Sequence, residues 1–327
     1  MIDKSQEYPH TGIPTFLKSD YGSIEQLGDY PIGIFGVPLD IGVSNKAGTR
    51  NGPAAIRKAS TWYNPSAYFK KGTIIDLYQQ QRAIEVNIPE ILDLGDVPIF
   101  PTDYQKSLNA IEAFSYEVTK RAFPIILGGD HSITYPAVKG LLQGLQEREA
   151  FNTLGILHFD SHPDVWDSYL TLDNVWHGSP FRKLLEEEQI QGSNLVMIGD
   201  RCLISTHLYD YITSHGIKLY SISDVWERGI AAIVEEATTY LKDQTDGVYI
   251  SFDIDVLDPA YAPGTGTPVP GGLTPREMIQ AVNIICETTR LVGIDLVEVA
   301  PHYDPSESTQ QLAAFLLHRF IMLYKGF

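Results

Sequence analysis

Short, wholly apolar runs alternate along this chain with longer stretches in which apolar positions recur every three or four residues. The runs at 31–39, 123–127, 153–159, 194–198, 217–222, 247–252 and 291–297 are rich in β-branched residues and bounded by Gly, Pro or Asp. They read as strands buried on both faces. Between them the spacing predicts helices over 104–121, 134–147, 205–215, 224–242, 274–287 and 308–324. The helix at 274 opens with Thr274-Pro275-Arg276-Glu277, a capping box with proline in the first helical position. Strands alternating with helices imply a parallel sheet covered on both faces. With no repeat or low-complexity linker in view, residues 31–327 are expected to form one α/β domain behind an N-terminal extension, 1–30.

Two loops break the alternation. GVSNKAGTRNGPAAIR (42–57) leads into a helix, and DPAYAPGTGTPVPGG (258–272) is long and heavily punctuated. Loops of this kind on a rigid scaffold are common places for binding residues.

Composition narrows the partners. The 327 residues carry 24 Lys and Arg against 41 Asp and Glu, a net charge of -17. Such a surface repels phosphate backbones and favours metal ions and cationic small molecules, so no nucleic acid is expected. Cys202 and Cys286 are too few for a disulfide framework or a thiolate zinc site. The N-terminal stretch lacks the apolar core of a signal peptide, and no run approaches the roughly 18 apolar residues of a membrane span. A soluble, cytoplasmic protein is expected.

The chemistry collects after four of the strands. Asp130 and His131 follow 123–127; His158, Asp160, His162 and Asp164 end and follow 153–159; Asp253 and Asp255 follow 247–252; Glu298 follows 291–297. In a parallel sheet these ends share one edge, where ligands bind. Asp160, Asp164, Asp253 and Asp255 would repel one another, and no Lys or Arg lies inside their motifs to neutralise them. Cations must do so, and with His131 and His162 the ligands are too many for one small ion. Two bridged divalent ions are the economical reading. The nitrogen and oxygen mixture suits manganese, with nickel, cobalt or zinc as alternatives. Paired ions activate a shared water for hydrolysis. His158 either faces the sheet or backs the ligands. His177, in a loop, would serve beside an activated water as a proton shuttle.

The ordered segments GVPLDIGVSNKAGTRNGPAAIR, GGDHS, HFDSHPD, WHGSPF, SFDIDVLDPAYAPGTGTPVPGG and GIDLVEVAPHYD resemble the ureohydrolase family (arginase, agmatinase and their relatives) over most of the chain. The resemblance implies a three-layer α/β/α fold with a central parallel sheet and a dimanganese centre. It assigns His131, Asp160, Asp164 and Asp253 to one metal and Asp160, His162, Asp253 and Asp255 to the other, with Asp160 and Asp253 bridging. His177 matches the proton-shuttling histidine and Glu298 the carboxylate that grips the guanidinium, a planar fork that a carboxylate complements. A homo-trimer or homo-hexamer is implied as well.

Trp166 stands where arginases carry an asparagine, and the remaining motifs look more like the agmatinase and guanidino-acid branch. The loop 164–177 holds Trp166, Asp167, Tyr169, Asp173 and Trp176 but no Lys or Arg. That composition fits a cationic or alkylated tail. A carboxylate tail would need Lys46, Arg182 or Arg201. The leading expectation is therefore a dimetal hydrolase releasing urea and an amine from a guanidino compound. A small substituted guanidine, a biguanide or a formimino compound is the alternative. A hetero-oligomer with a paralogue, or a catalytically silent partner subunit, is a further one. Residues 69–90 match no readable motif.

Overall fold

The computed structural model of the protein describes residues 11–63, 71–79, 81–167 and 175–326. Its strands are β1 (Asp20–Tyr21), β2 (Ile32–Gly36), β3 (Lys71–Asp76), β4 (Arg82–Asn87), β5 (Ile91–Asp96), β6 (Phe123–Leu127), β7 (Leu154–Phe159), β8 (Leu195–Ile198), β9 (Lys218–Tyr220), β10 (Gly247–Asp253) and β11 (Leu291–Val297). Nine of them form one sheet, ordered β1-β5-β2-β6-β11-β10-β7-β8-β9 and parallel throughout. The helices are α1 (Gly52–Ser60), α2 (Tyr104–Thr119), α3 (Thr134–Arg148), α4 (Pro180–Glu186), α5 (Thr206–Ser214), α6 (Ile222–Arg228), α7 (Ile230–Lys242), α8 (Pro275–Thr288) and α9 (Ser308–Leu323).

Along most strands of the sheet, alternate residues feed one core on one face and one of two cores on the other. Leu157, Phe159, Val196 and Ile198 pack towards α1 and α6–α9, while Leu154, Ile156, Leu195 and Met197 pack towards α3–α5. Burial on both faces is why the strands read as unbroken apolar runs. The consequence for function lies in the strand order. β6, β11, β10 and β7 are consecutive neighbours, so the Asp- and His-bearing turns at their carboxyl ends lie side by side.

Several elements differ from their sequence expectation for identifiable reasons. The helix expected over 224–242 is two, α6 and α7, because Gly229 takes φ 80° and its N–H closes α6 onto Val225 O at 2.8 Å. The described part of 69–90 is largely an antiparallel hairpin, β3 with β4, tied to α9 by a buried Arg319–Asp76 ion pair at 2.5 Å. β5 was hidden in the pattern by Asp93, which lies buried inside the strand and is held by Arg57 at 2.9 Å. Of the 1–30 segment, β1 pairs with β5, and Phe16, Leu17 and Leu27 are buried against the domain. The first ten residues of that segment, and Tyr169 and Asp173 of the aromatic loop, lie outside the described residues.

Candidate metal centre

Asp160, at the end of β7, sits at the middle of the cluster with its two oxygens turned to different histidines. Its Oδ2 lies 3.1 Å from His131 Nδ1, and its Oδ1 lies 3.3 Å from His162 Nδ1. The same His131 nitrogen faces Asp164 Oδ2 at 2.9 Å and Asp253 Oδ2 at 3.3 Å. His162 Nδ1 in turn faces Asp255 Oδ2 at 3.3 Å. One ring nitrogen is ringed by three carboxylates and a second by two, with Asp160 common to both, a buried donor set that could hold metal ions. The second oxygen of Asp253 accepts Asp255 N–H at 2.8 Å, so these two acids are locked together. Asp164 reaches the cluster with φ 47°, a left-handed conformation that costs a non-glycine residue of order 1 kcal/mol or more.

Behind the cluster runs a polar row through the apolar sheet. His158, Ser251 and Asp295 are in register across β7, β10 and β11, and all three are buried. Ser251 donates to Asp295 Oδ1 at 2.9 Å, so its oxygen is free to accept from His131 Nε2 at 2.8 Å. That chain holds a proton on Nε2, so that a cation replacing the proton on Nδ1, which the three acids favour, would meet the Nδ1 lone pair in the orientation usual for ligating histidines. Thr134 and Tyr249 donate to Asp295 Oδ2 at 2.7 and 2.8 Å and hold the far end. His158 sits behind Asp160, 2.9 Å from its Oδ2. Ser161 holds Asp255 Oδ1 through its N–H (3.2 Å) and its hydroxyl (2.7 Å). Ser251 and Asp295 went unread in the sequence. Their signal was a serine and an aspartate inside GVYISF and LVGIDLV, where a buried strand otherwise carries apolar residues.

Glu298 and His177 form the other half of the site. Glu298, just beyond β11, has φ 65°, and its Oε1 accepts His131 N–H at 3.0 Å while facing His177 Nδ1 at 3.0 Å. Its Oε2 is buried with no partner among the described residues. Gly266 lies beside that oxygen; a Cβ there would stand 3.7 Å from Oε2. His177 Nε2 faces Ser44 from both N (3.0 Å) and Oγ (2.7 Å). An unprotonated Nε2 takes the N–H and a protonated one gives to the hydroxyl, so both charge states are held. Ring contacts link His162 to Trp166, Trp166 to Trp176 and Trp176 to His177, at 6.2, 6.3 and 5.4 Å. The two indoles thus span from one half of the site to the other.

Charge is crowded here. Burial raises the Asp253 carboxyl, and Asp255 and Asp160 push it further, well above its usual range. Asp164 is raised by burial and by Asp160. Asp160 runs the other way: burial opposes ionisation, but three histidines around it hold it well below the ordinary value. For His177 burial works against the proton, yet Glu298 outweighs it and lifts the ring to about 9. These are acids and bases that lack a compensating cation, and divalent ions at the two histidine nitrogens would supply one.

Of the cations expected to meet a carboxylate tail, two are already engaged. Arg201 donates to the backbone carbonyls of Gly199, Asp255, Val256, Leu257 and Val269. Arg182 pairs with Glu186 at 2.7 Å and stacks on Tyr211. Lys46 is exposed and lies over Tyr303. A groove of about 1220 Å³ between α8, α9 and the hairpin is lined by none of the site residues.

The sequence model of the arginase family matches residues 30–323. The chain belongs to the arginase family. Among curated relatives, the mitochondrial guanidino acid hydrolase of Homo sapiens is 38% identical over 88% of this chain and 76% of its own length. The mitochondrial agmatinase of Gallus gallus is also 38% identical, over 89% of this chain and 80% of its own. Among solved structures, proclavaminate amidino hydrolase from Streptomyces clavuligerus superposes with a TM-score of 0.81 at 29% identity, covering 97% of this chain and 99% of that one. The expected three-layer architecture and family are thereby borne out, and the family is one of hydrolases acting on C–N bonds in linear amidines. No helix of the described residues is long and apolar enough to cross a membrane.

Proposed function

We propose that this arginase-family chain hydrolyses a guanidino compound to urea and an amine at a centre holding two divalent ions. The observation that carries the reading is His131, whose Nδ1 is presented to Asp160, Asp164 and Asp253 by the Ser251–Asp295 chain behind it. His131, Asp160, Asp164 and Asp253 hold one ion; Asp160, His162, Asp253 and Asp255 hold the other. Bound there, the pair supplies Lewis acidity that lowers the pKa of water and polarises the carbon under attack. Two nitrogens among oxygens suit manganese first and nickel second.

The remaining residues act on the substrate. Glu298 Oε2, the carboxylate oxygen left without a partner among the described residues, is the acceptor for the guanidinium. His177, seated between Glu298 and Ser44 and lifted to about 9, starts protonated, delivers its proton to the departing amine and regains one from water, and both of its charge states are accommodated. Trp166 and Trp176 form an aromatic wall between the two histidines. A homo-trimer or homo-hexamer and a cytoplasmic location belong to the same reading, the two free thiols suiting a reducing compartment.

Urea release tests it directly. Purified chain loaded separately with manganese and nickel is offered agmatine, guanidinobutyrate, guanidinopropionate, arginine, guanidine and dimethylbiguanide. Urea from the guanidino compounds is expected. Turnover of none of the guanidino compounds by a fully loaded chain contradicts it.

A further inference from the structure

Asp130 stands next to the ligand His131 in the chain, but both of its oxygens are engaged elsewhere. Oδ2 accepts the N–H of Gly42 at 2.9 Å, and Oδ1 accepts the N–H of Ser132 at 2.9 Å together with the Ser132 hydroxyl. The side chain is fully buried, so these donors stand in for water. We infer that Asp130 is a positioning residue for His177, fixing that ring through Gly42 and the loop 42–57. The inference rests on the amidinohydrolase reading above, in which His177 gives the proton to the departing amine.

Gly42 is where the two segments meet. Its N–H goes to Asp130, and its carbonyl accepts the N–H of His177 at 3.0 Å. Two residues on, Ser44 sets its N–H and its hydroxyl 3.0 and 2.7 Å from His177 Nε2. The approach is tight: a Cβ on Gly42 would stand 2.8 Å from Ser132 Oγ and 3.0 Å from Asp130 Oδ1. A second arm starts from the same carboxylate. Ser132 Oγ lies 3.1 Å from Tyr104 OH, and that phenol donates to Val175 O at 2.7 Å, two residues before His177. Further along the loop other groups take over, Asn45 Nδ2 donating to Gly266 O at 3.0 Å and Tyr303 OH to Ala47 O at 2.9 Å.

One turn therefore serves both halves of the site. The His131 N–H holds Glu298 Oε1, which faces His177 Nδ1, while Asp130 holds the peptide that binds His177 N–H and leads to Ser44. The acid and the ligand ring are thus located against each other through two consecutive residues. A proton donor works only within hydrogen-bond reach of the leaving nitrogen, and a misplacement of about 1 Å costs on the order of 100-fold in rate.

Asp130→Asn cuts this tether with almost no change of volume. Ser132 offers two donors and claims the amide oxygen, which leaves the amide NH2 against the Gly42 N–H, donor facing donor. The test uses the manganese-loaded full-length chain and the compound of the panel above that releases urea fastest. It measures bound metal, kcat and KM, and hydrogen–deuterium exchange of peptides covering 42–48 and 175–179. Asp130→Asn is expected to keep the wild-type metal content, to lower kcat about tenfold or more with KM changed less than about threefold, and to exchange faster in both peptides. In a His177→Asn background the same substitution is expected to lower kcat less than about twofold, because residues that act as a unit are not additive.

Equal losses of kcat in the two backgrounds overturn the inference, and so does a loss that follows metal out of the protein. Unchanged exchange at 42–48 overturns it as well, and decides alone if the His177→Asn rate is too low to divide. Should Asp130→Asn fail to fold, Gly42→Ala presses on the same contact from the other side; the same non-additivity with His177→Asn is expected, and additive losses overturn the inference. Silence of metal-replete wild type towards every guanidino compound overturns the amidinohydrolase reading and the catalytic role of Asp130 with it, whereas a failed tether in an active enzyme overturns the inference alone.

Discussion

Ser251 is a small residue with a large lever. Its hydroxyl carries the Asp295 charge to His131 Nε2 and so fixes which ring nitrogen offers a lone pair to Asp160, Asp164 and Asp253. Ser251→Ala keeps the fold, since the replacement is smaller and apolar in an apolar strand, but frees the imidazole to choose the other tautomer. Metal affinity is expected to fall about 10- to 100-fold, the usual cost of losing an outer partner of a ligating histidine; competition with a chelator measures it, and unchanged affinity contradicts the role. Glu298→Gln is expected to weaken substrate binding by a larger factor than metal binding, since Oε2 stands unpartnered while Oε1 is engaged by His131 N–H. If metal is lost first, Glu298 is a ligand. The ligand acids and histidines were legible in the sequence because each ends a buried strand. Ser251 and Asp295 were not, because a lone polar residue in a strand announces no partner. Only the strand order β7-β10-β11 brings His158, Ser251 and Asp295 into one row.

At the scale of elements, the helix that follows His131 is set by close backbone packing. α3 presses on α2 through Gly140, where a Cβ would meet Glu112 O at 2.1 Å, and through Gly144, where one would meet Thr119 Cβ at 2.8 Å. Gly140→Ala improves helix propensity by about 1 kcal/mol, but the clash is with backbone and cannot be relieved by a rotamer. The helices must separate, and a net loss of roughly 1–3 kcal/mol is expected in chemical denaturation; a gain in stability contradicts this packing. Strand and helix alternation was readable because two-sided burial leaves apolar runs. The hairpin of β3 and β4 was not, since its residues are mostly exposed or half-buried and it is held from outside, by Arg319 to Asp76 and by Lys325 Nζ to Glu85 O at 2.6 Å. The division of α6 from α7 needed only one glycine, and within a long amphipathic pattern a single glycine is easily absorbed.

For the molecule as a whole, stability and function both depend on where charge is tolerated. His318, in α9, stacks on Tyr63 and lies beside Arg319; burial first, then that cation, lowers its ring to about 4. The unfolded chain takes up a proton near the ordinary histidine value of about 6.5. Above that pH both states are neutral and nothing is lost. As pH falls from 6.5 towards 4 only the unfolded state gains the proton, so stability declines by up to roughly 3 kcal/mol. Unfolding of metal-free His318→Gln and wild type across this window is expected to show a shallower fall in the variant; parallel curves contradict the assignment.

At the carboxyl edge of the sheet Asp160, Asp164, Asp253 and Asp255 are gathered around two histidines, and cations seated among them would offset their repulsion. The most direct test is the metal-to-protein ratio, by elemental analysis, of manganese-loaded wild type and Asp160→Asn after exhaustive dialysis. Two ions per wild-type chain, falling below one in Asp160→Asn while the far-ultraviolet circular dichroism stays the same, is the expected result. A wild type that retains no stoichiometric metal, or an Asp160→Asn that keeps both ions, contradicts a centre bridged through Asp160.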